Sequence, residues 1–217
     1  LHGKTDFNTR FISAGYFEKQ IAFFSKHFNV VSLDDIYGNR VAQDKLNVAI
    51  TFDDGYQNNL KYAVPILEKH QVAATFFVTG IRDLGTDILW PDFIDMATIK
   101  CNKPVEIRGQ VFQKNRNGDL AFQGFTLKHI CKSQDWNYKL DMMEALKPWD
   151  SFRNEPTLND YWKQMTSDEI KILASSPFVS IGSHGYFHNN LGDINHEGAC
   201  QELEQSKLFL ENIIQKE

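Results

Sequence analysis

Residues 48–80 read VAITFDDGYQNNLKYAVPILEKHQVAATFFVTG, and the order of elements in this stretch decides the fold class. Residues 46–52 form an apolar, β-rich run, which predicts a strand buried on both faces. Residues 58–70 predict a helix, with Pro65 placed to fall in its first turn or to kink it. Residues 72–78 (VAATFFV) predict a second buried strand, ended by Thr79-Gly80. Strand, helix and strand with short connections form the βαβ signature of a parallel sheet, so the class is α/β.

Upstream, residues 14–28 predict an amphipathic helix with Phe17, Ile21, Phe24 and Phe28 on one face, and residues 29–32 a short strand. Downstream the pattern breaks. Residues 81–165 hold all four tryptophans (Trp90, Trp136, Trp149, Trp162), polar loops and balanced charge. This region reads as an insertion with helices over 91–99 and 137–147 and a hairpin around 105–123, turned by Asn117-Gly118. Regularity returns with the capping box Thr166-Ser167-Asp168-Glu169, which opens a short helix to about residue 175. Residues 178–183 (FVSIGS) predict another strand, and residues 196–215 a helix with Ala199, Leu203, Leu210 and Ile214 on one stripe. The expected organisation is a single domain, 1–217, with 81–165 inserted in it.

The 217 residues carry a formal net charge of −5, which advertises no surface for polyanions, so nucleic acid is not an expected partner. No run approaches the roughly 18 apolar residues of a membrane helix. Cys101, Cys131 and Cys200 fit neither a zinc spacing nor a disulfide framework. Unpaired thiols favour a reducing, cytoplasmic compartment. The chain does not begin with Met, so the lack of a targeting segment carries no weight.

Two strand ends hold residues that need an explanation. Asp53-Asp54-Gly55 ends one, and two adjacent carboxylates there repel each other and resist desolvation. Ser183-His184-Gly185-Tyr186-Phe187-His188 ends the other. Taken alone, an Asp-Asp-Gly can be an ordinary turn, and two histidines four apart an ordinary structural pair. Together they sit where parallel α/β folds gather ligands, at the carboxyl ends of strands. Two imidazoles and one carboxylate make a three-ligand site for a divalent cation. The donors suit zinc best, with cobalt, nickel or iron possible and magnesium disfavoured. One aspartate can then bind the metal while the other serves as general base, the division of labour in metal-assisted hydrolysis.

The stretch 48–80, together with VSIGSHGYFHNNL at 179–191, resembles the polysaccharide deacetylase family, the family 4 carbohydrate esterases that share the NodB homology domain. The resemblance covers residues 14–80 and about 162–215. It implies a distorted (β/α) barrel of seven strands and removal of an N- or O-acetyl group from an acetylated glycan or amino-sugar substrate. By this resemblance Asp54, His184 and His188 match the metal ligands and Asp53 the general base. A backbone N–H following Asp54 or Gly55 would hold the oxyanion. Tyr56, Tyr186 and Trp90 are the candidate substrate contacts, with core packing as the competing role for each.

The chain departs from the family pattern in two places. The family usually has Ser or Thr directly after the first motif histidine, where this chain has Gly185, so the loop is held otherwise or is looser. The family's Arg-containing Pro-Tyr motif, Asp-Trp segment and Leu-x-His motif, with the general-acid histidine, lie beyond Glu217, so the C-terminal barrel strands are expected to be missing from this chain. Leu1-His2-Gly3 fits the remnant of a strand that often opens family members, with a solvated terminal histidine as the favoured reading of His2. Two other activities fit the same residues: hydrolysis of a non-sugar amide such as a cyclic imide or ureide, and silent sugar binding. Retention of Asp53 argues against the silent module.

Overall fold

The computed structural model describes residues 12–215, so His2 lies outside the described residues. Helix α1 (Ala14–His27) starts where Ser13 Oγ accepts the Tyr16 N–H, and it buries Ile21. Strand β1 (Asn29–Val30), helix α2 (Leu33–Tyr37), strand β2 (Asn47–Val48) and strand β3 (Thr51–Phe52) follow. The expected strand over 46–52 is therefore two. Residues 47–48 pair with β1, while 51–52 pair in parallel with β4 (Ala74–Val78). Among the described residues each half has a partner on one side only, which is why these residues are half-buried or exposed rather than buried on both faces.

Between β3 and β4 the helix begins with a wide π-type turn, Asn59–Ala63, in which the Val64 N–H reaches back to the Asn59 carbonyl. Pro65, which has no N–H to donate, then sits in the first turn of α3 (Val64–His70). Phe52 and Phe76, neighbours in the strand register, stack at 4.5 Å.

Residues between Ile88 and Trp162 build a cluster of their own. Helix α4 (Trp90–Lys100) packs with an antiparallel meander, β5 (Val105–Ile107), β6 (Gln110–Lys114), β7 (Leu120–Phe122) and β8 (Phe125–Thr126). Helices α5 (Leu127–Cys131), α6 (Trp136–Leu146) and α7 (Asn159–Trp162) complete it around Phe93, Phe112, Met142 and Phe152. The single expected hairpin is thus four strands. The Asn117-Gly118 turn joins β6 to β7, and Arg108-Gly109 and Gln123-Gly124, all at positive φ, make the two tight turns beside it. The chain leaves and returns side by side, with Ile88 bridging to Lys163 and the Gln164 N–H donating to the Asp87 carbonyl.

The return leads through the reciprocal Thr166–Glu169 capping box into α8 (Ser167–Ala174), then β9 (Val179–Ser183) and α9 (His196–Ile214). Strand β9 pairs in parallel with β4, giving the sheet order β3-β4-β9. A second cluster, including Ile21, Leu67, Phe76, Ile170 and Leu210, lies between this sheet and α1, α3, α8 and α9. Among the described residues the parallel strands form two open sheets and no closed barrel. Helix α9 also differs from expectation. Leu203 is 55% exposed, and the buried face is Glu202, Ser206, Phe209 and Leu210.

Candidate metal and catalytic site

The sheet order sets the site. β3 and β9 flank β4, and their carboxyl ends carry Asp53-Asp54 and His184. For side chains to meet across β4, that strand must end in something small, and it ends in Thr79-Gly80. A Cβ at Gly80 would lie 2.3 Å from the Tyr186 ring, so only glycine fits there. Thr79 is buried and its hydroxyl donates to the Asp54 carbonyl at 3.3 Å. His184 continues the ladder, its N–H donating to the Val78 carbonyl.

Asp54 stands at φ 74° and His188 at φ 56°, in the left-handed region where Asp and His are tolerated better than most residues. These turns bring Asp54 Oδ1 to 3.1 Å from His184 Nε2 and 3.3 Å from His188 Nε2. One donor atom from each of the three residues lies within 4.8 Å of the others. Burial pushes the Asp54 carboxyl up, but hydrogen bonds and charge from His184 and His188 outweigh it and hold the group well below the usual carboxylate range. The hydrogen bond to Asp54 raises His184 against the effect of burial. Two imidazole nitrogens and one carboxylate oxygen, turned toward one point and half-buried, are a donor set that fits a divalent transition cation.

Asp53 faces outward, exposed, beside this triad. Its backbone carbonyl accepts the Gly55 N–H at 2.9 Å. Tyr56 is half-buried and donates its hydroxyl to Asp92 Oδ2 at 2.8 Å. Burial and the charges of Asp92 and Asp54 push that phenol far up, so it stays a donor. Tyr186 donates its hydroxyl to Asp83 and lines a different cavity from the two histidines. Trp90 is buried in the insertion cluster, and its indole N–H donates to the His188 carbonyl at 3.0 Å. With Lys128, Lys132 and Asn189, Trp90 and the two histidines line a cavity of about 510 Å³.

Two charged residues near the site carry no signal in the sequence pattern. Asp92, on α4, has its carboxyl raised to about 7, mainly by burial. Glu202 sits on α9 with no exposure. Gly185, by lacking a hydroxyl, was the one hint that another group must hold the histidine loop.

Residues 40–98 match the sequence profile of the family described as polysaccharide deacetylase. This segment, about a quarter of the chain, is what resembles that family. The matched segment holds Asp53 and Asp54, β4 and most of α4. No curated protein matches the sequence. Among solved structures, the chain is similar to the Streptococcus pyogenes deacetylase PplD in complex with acetate, at TM-score 0.55 and 15% identity. That match covers 99% of this chain and 66% of the other. It is also similar to the putative polysaccharide deacetylase BA0330 from Bacillus anthracis, at TM-score 0.50 and 18% identity, covering 100% of this chain and 44% of the other. At such identities the likeness is one of mixed α/β fold. The chain spans less than two thirds of each of these deacetylases. No helix among the described residues is long and apolar enough to cross a membrane.

Proposed function

We propose that this chain is a member of the polysaccharide deacetylase family and a metal-dependent hydrolase that removes acetyl groups from a carbohydrate. The observation that carries the proposal is the convergence of Asp54, His184 and His188 within 4.8 Å at two strand ends, with the exposed Asp53 next to them. In this reading the two open parallel sheets are part of a distorted (β/α)7 barrel, and residues 81–165 are inserted in it.

Asp54, His184 and His188 would hold the cation, zinc by preference. A divalent cation there supplies Lewis acidity toward a carbonyl oxygen and toward water. The Asp53 carboxylate, free of side-chain bonds to the triad, takes the proton of the attacking water. The Gly55 N–H is already engaged with the Asp53 carbonyl, so the Tyr56 N–H is the backbone donor left to face the oxyanion. The Tyr56 side chain, tied to Asp92, fixes that backbone. The Trp90 wall of the adjoining cavity is where a sugar ring would lie.

The test is acetate release from acetylated amino-sugar oligomers by the zinc-loaded protein, with and without chelator. Release that chelator abolishes and zinc restores is expected. Asp53→Asn should keep its zinc and lose about 10²–10⁴ in turnover. Absence of chelator-sensitive release from any acetylated glycan would sink the activity, and a fully active Asp53→Asn would sink the base.

A further inference from the structure

We propose that Glu202 is the positioning residue of the histidine loop: its buried carboxylate clasps the backbone of residues 186–189 and so sets where His184 and His188 present their nitrogens. This inference rests on the metal reading above.

Glu202 is 0% exposed, and no Lys or Arg among the described residues forms an ion pair with it. Instead Oε2 accepts the backbone N–H of Tyr186 and that of Phe187 at 2.9 Å, while Oε1 accepts that of Asn189 at 2.8 Å. Charge-assisted bonds of this kind are about twice as strong as neutral ones. They account for a carboxylate that would otherwise be costly to bury.

The peptide group that joins His188 to Asn189 is held from both sides, its N–H by Glu202 and its carbonyl from the insertion. The His188 carbonyl accepts the Trp90 indole N–H. The Lys139 ammonium, also 0% exposed, lies 4.9 Å from the Trp90 ring and donates to the Asn189 side chain. The loop is thus gripped between α9 and the insertion.

Two further observations give the clasp its purpose. His188 Nδ1 is buried with no hydrogen-bond partner, so this imidazole lacks the acceptor that usually orients a metal-binding histidine. Apart from the Asp54 contact at Nε2, its direction is set by its backbone, at φ 56°. Second, Gly185 stands at φ +82°, and a Cβ there would lie 2.8 Å from Glu202 Oε2. A side chain at 185 and the Glu202 clasp compete for one space. The missing hydroxyl and the buried glutamate are therefore two halves of one arrangement.

Cobalt(II) alone is the probe, added to the wild type, Glu202→Gln and Gly185→Ala. Glu202→Gln keeps the shape and one acceptor oxygen but loses the charge and turns an NH₂ toward an N–H. Gly185→Ala leaves the glutamate but crowds it, and serves also if the first variant does not fold. The expected result is cobalt affinity lowered about 10–100-fold with an altered d–d spectrum in either variant. Amide exchange of the metal-free protein should be faster at Phe187 and Asn189. A purely structural role would lower the melting temperature and leave the cobalt spectrum unchanged, and that outcome overturns the proposal. Unchanged exchange at Phe187 and Asn189 in Glu202→Gln also overturns it. A wild type that binds no cobalt strikes the metal reading itself, and the metal-free exchange still decides whether Glu202 clasps the loop.

Discussion

Asp53 and Asp54 look equivalent in the sequence, and nothing in strand alternation tells them apart, because β3 ends at Phe52. The difference is made by one backbone turn. At φ 74° Asp54 swings its carboxylate toward both imidazoles while Asp53 stays exposed. The residue pattern therefore marked which two strand ends meet but not the division between the two aspartates, for which only the resemblance offers an expectation. The next residue makes the turn possible. Gly55 has φ +83°, and a Cβ there would come 3.0 Å from Val78 Cγ1. Gly55→Ala should cost about 1–3 kcal/mol from the backbone conformation alone. Urea unfolding of the metal-free protein reads this, and an unchanged midpoint would mean that the turn relaxes without cost.

Among the elements, α9 is the one whose existence was legible and whose orientation was not. Its limits are legible to within a residue, while the apolar spacing puts Leu203 on the packed stripe. That reading treats charge as a mark of the solvent face, and here the most buried side chains are Glu202 and Ser206. They are buried because they bond inward, to the histidine loop and to the Ser183 hydroxyl. The meander was under-read for a related reason. Asn-Gly is the strong turn signal, while Arg108-Gly109 and Gln123-Gly124 make equally tight turns with unusual first residues. The orientation of α9 can be checked by paired substitutions. Leu203→Gln should change stability by less than about 0.5 kcal/mol, as an exposed position does. Leu210→Ala, at a site 5% exposed, should cost about 2–5 kcal/mol. Equal losses at the two positions would return Leu203 to the packed face.

Over the whole molecule, two hydrophobic clusters meet at the candidate site. The break in periodicity at residue 81 and its return at Thr166 were visible in the sequence, and the bridge from Ile88 to Lys163 gives the physical reason. An excursion whose ends lie side by side interrupts the parallel sheet without displacing it. What periodicity could not show is that the two parts are joined by polar contacts at the site, Trp90 to His188 and Tyr56 to Asp92. The second contact gives the molecule a pH signature. Burial and the charges of Asp54 and Asp95 push the Asp92 carboxyl up to about 7, against the Tyr56 hydrogen bond and the Lys128 charge. The unfolded chain releases this proton near pH ~3.9. Between those values the folded state binds the extra proton, so the Asp92 contribution to stability is fully present below the unfolded pKa and falls as pH rises toward about 7. Asp92→Asn cannot ionise, and its side-chain oxygen still accepts the Tyr56 hydroxyl. In chelator, which keeps any cation from offsetting the Asp54 charge, the stability of this variant relative to wild type should climb from pH about 4 to about 7 and then level off. Calorimetric melting across that range measures the difference. A difference that stays flat with pH would mean that Asp92 ionises as freely in the folded protein as in the unfolded chain, and that the junction between the two clusters is wetter than its packing indicates.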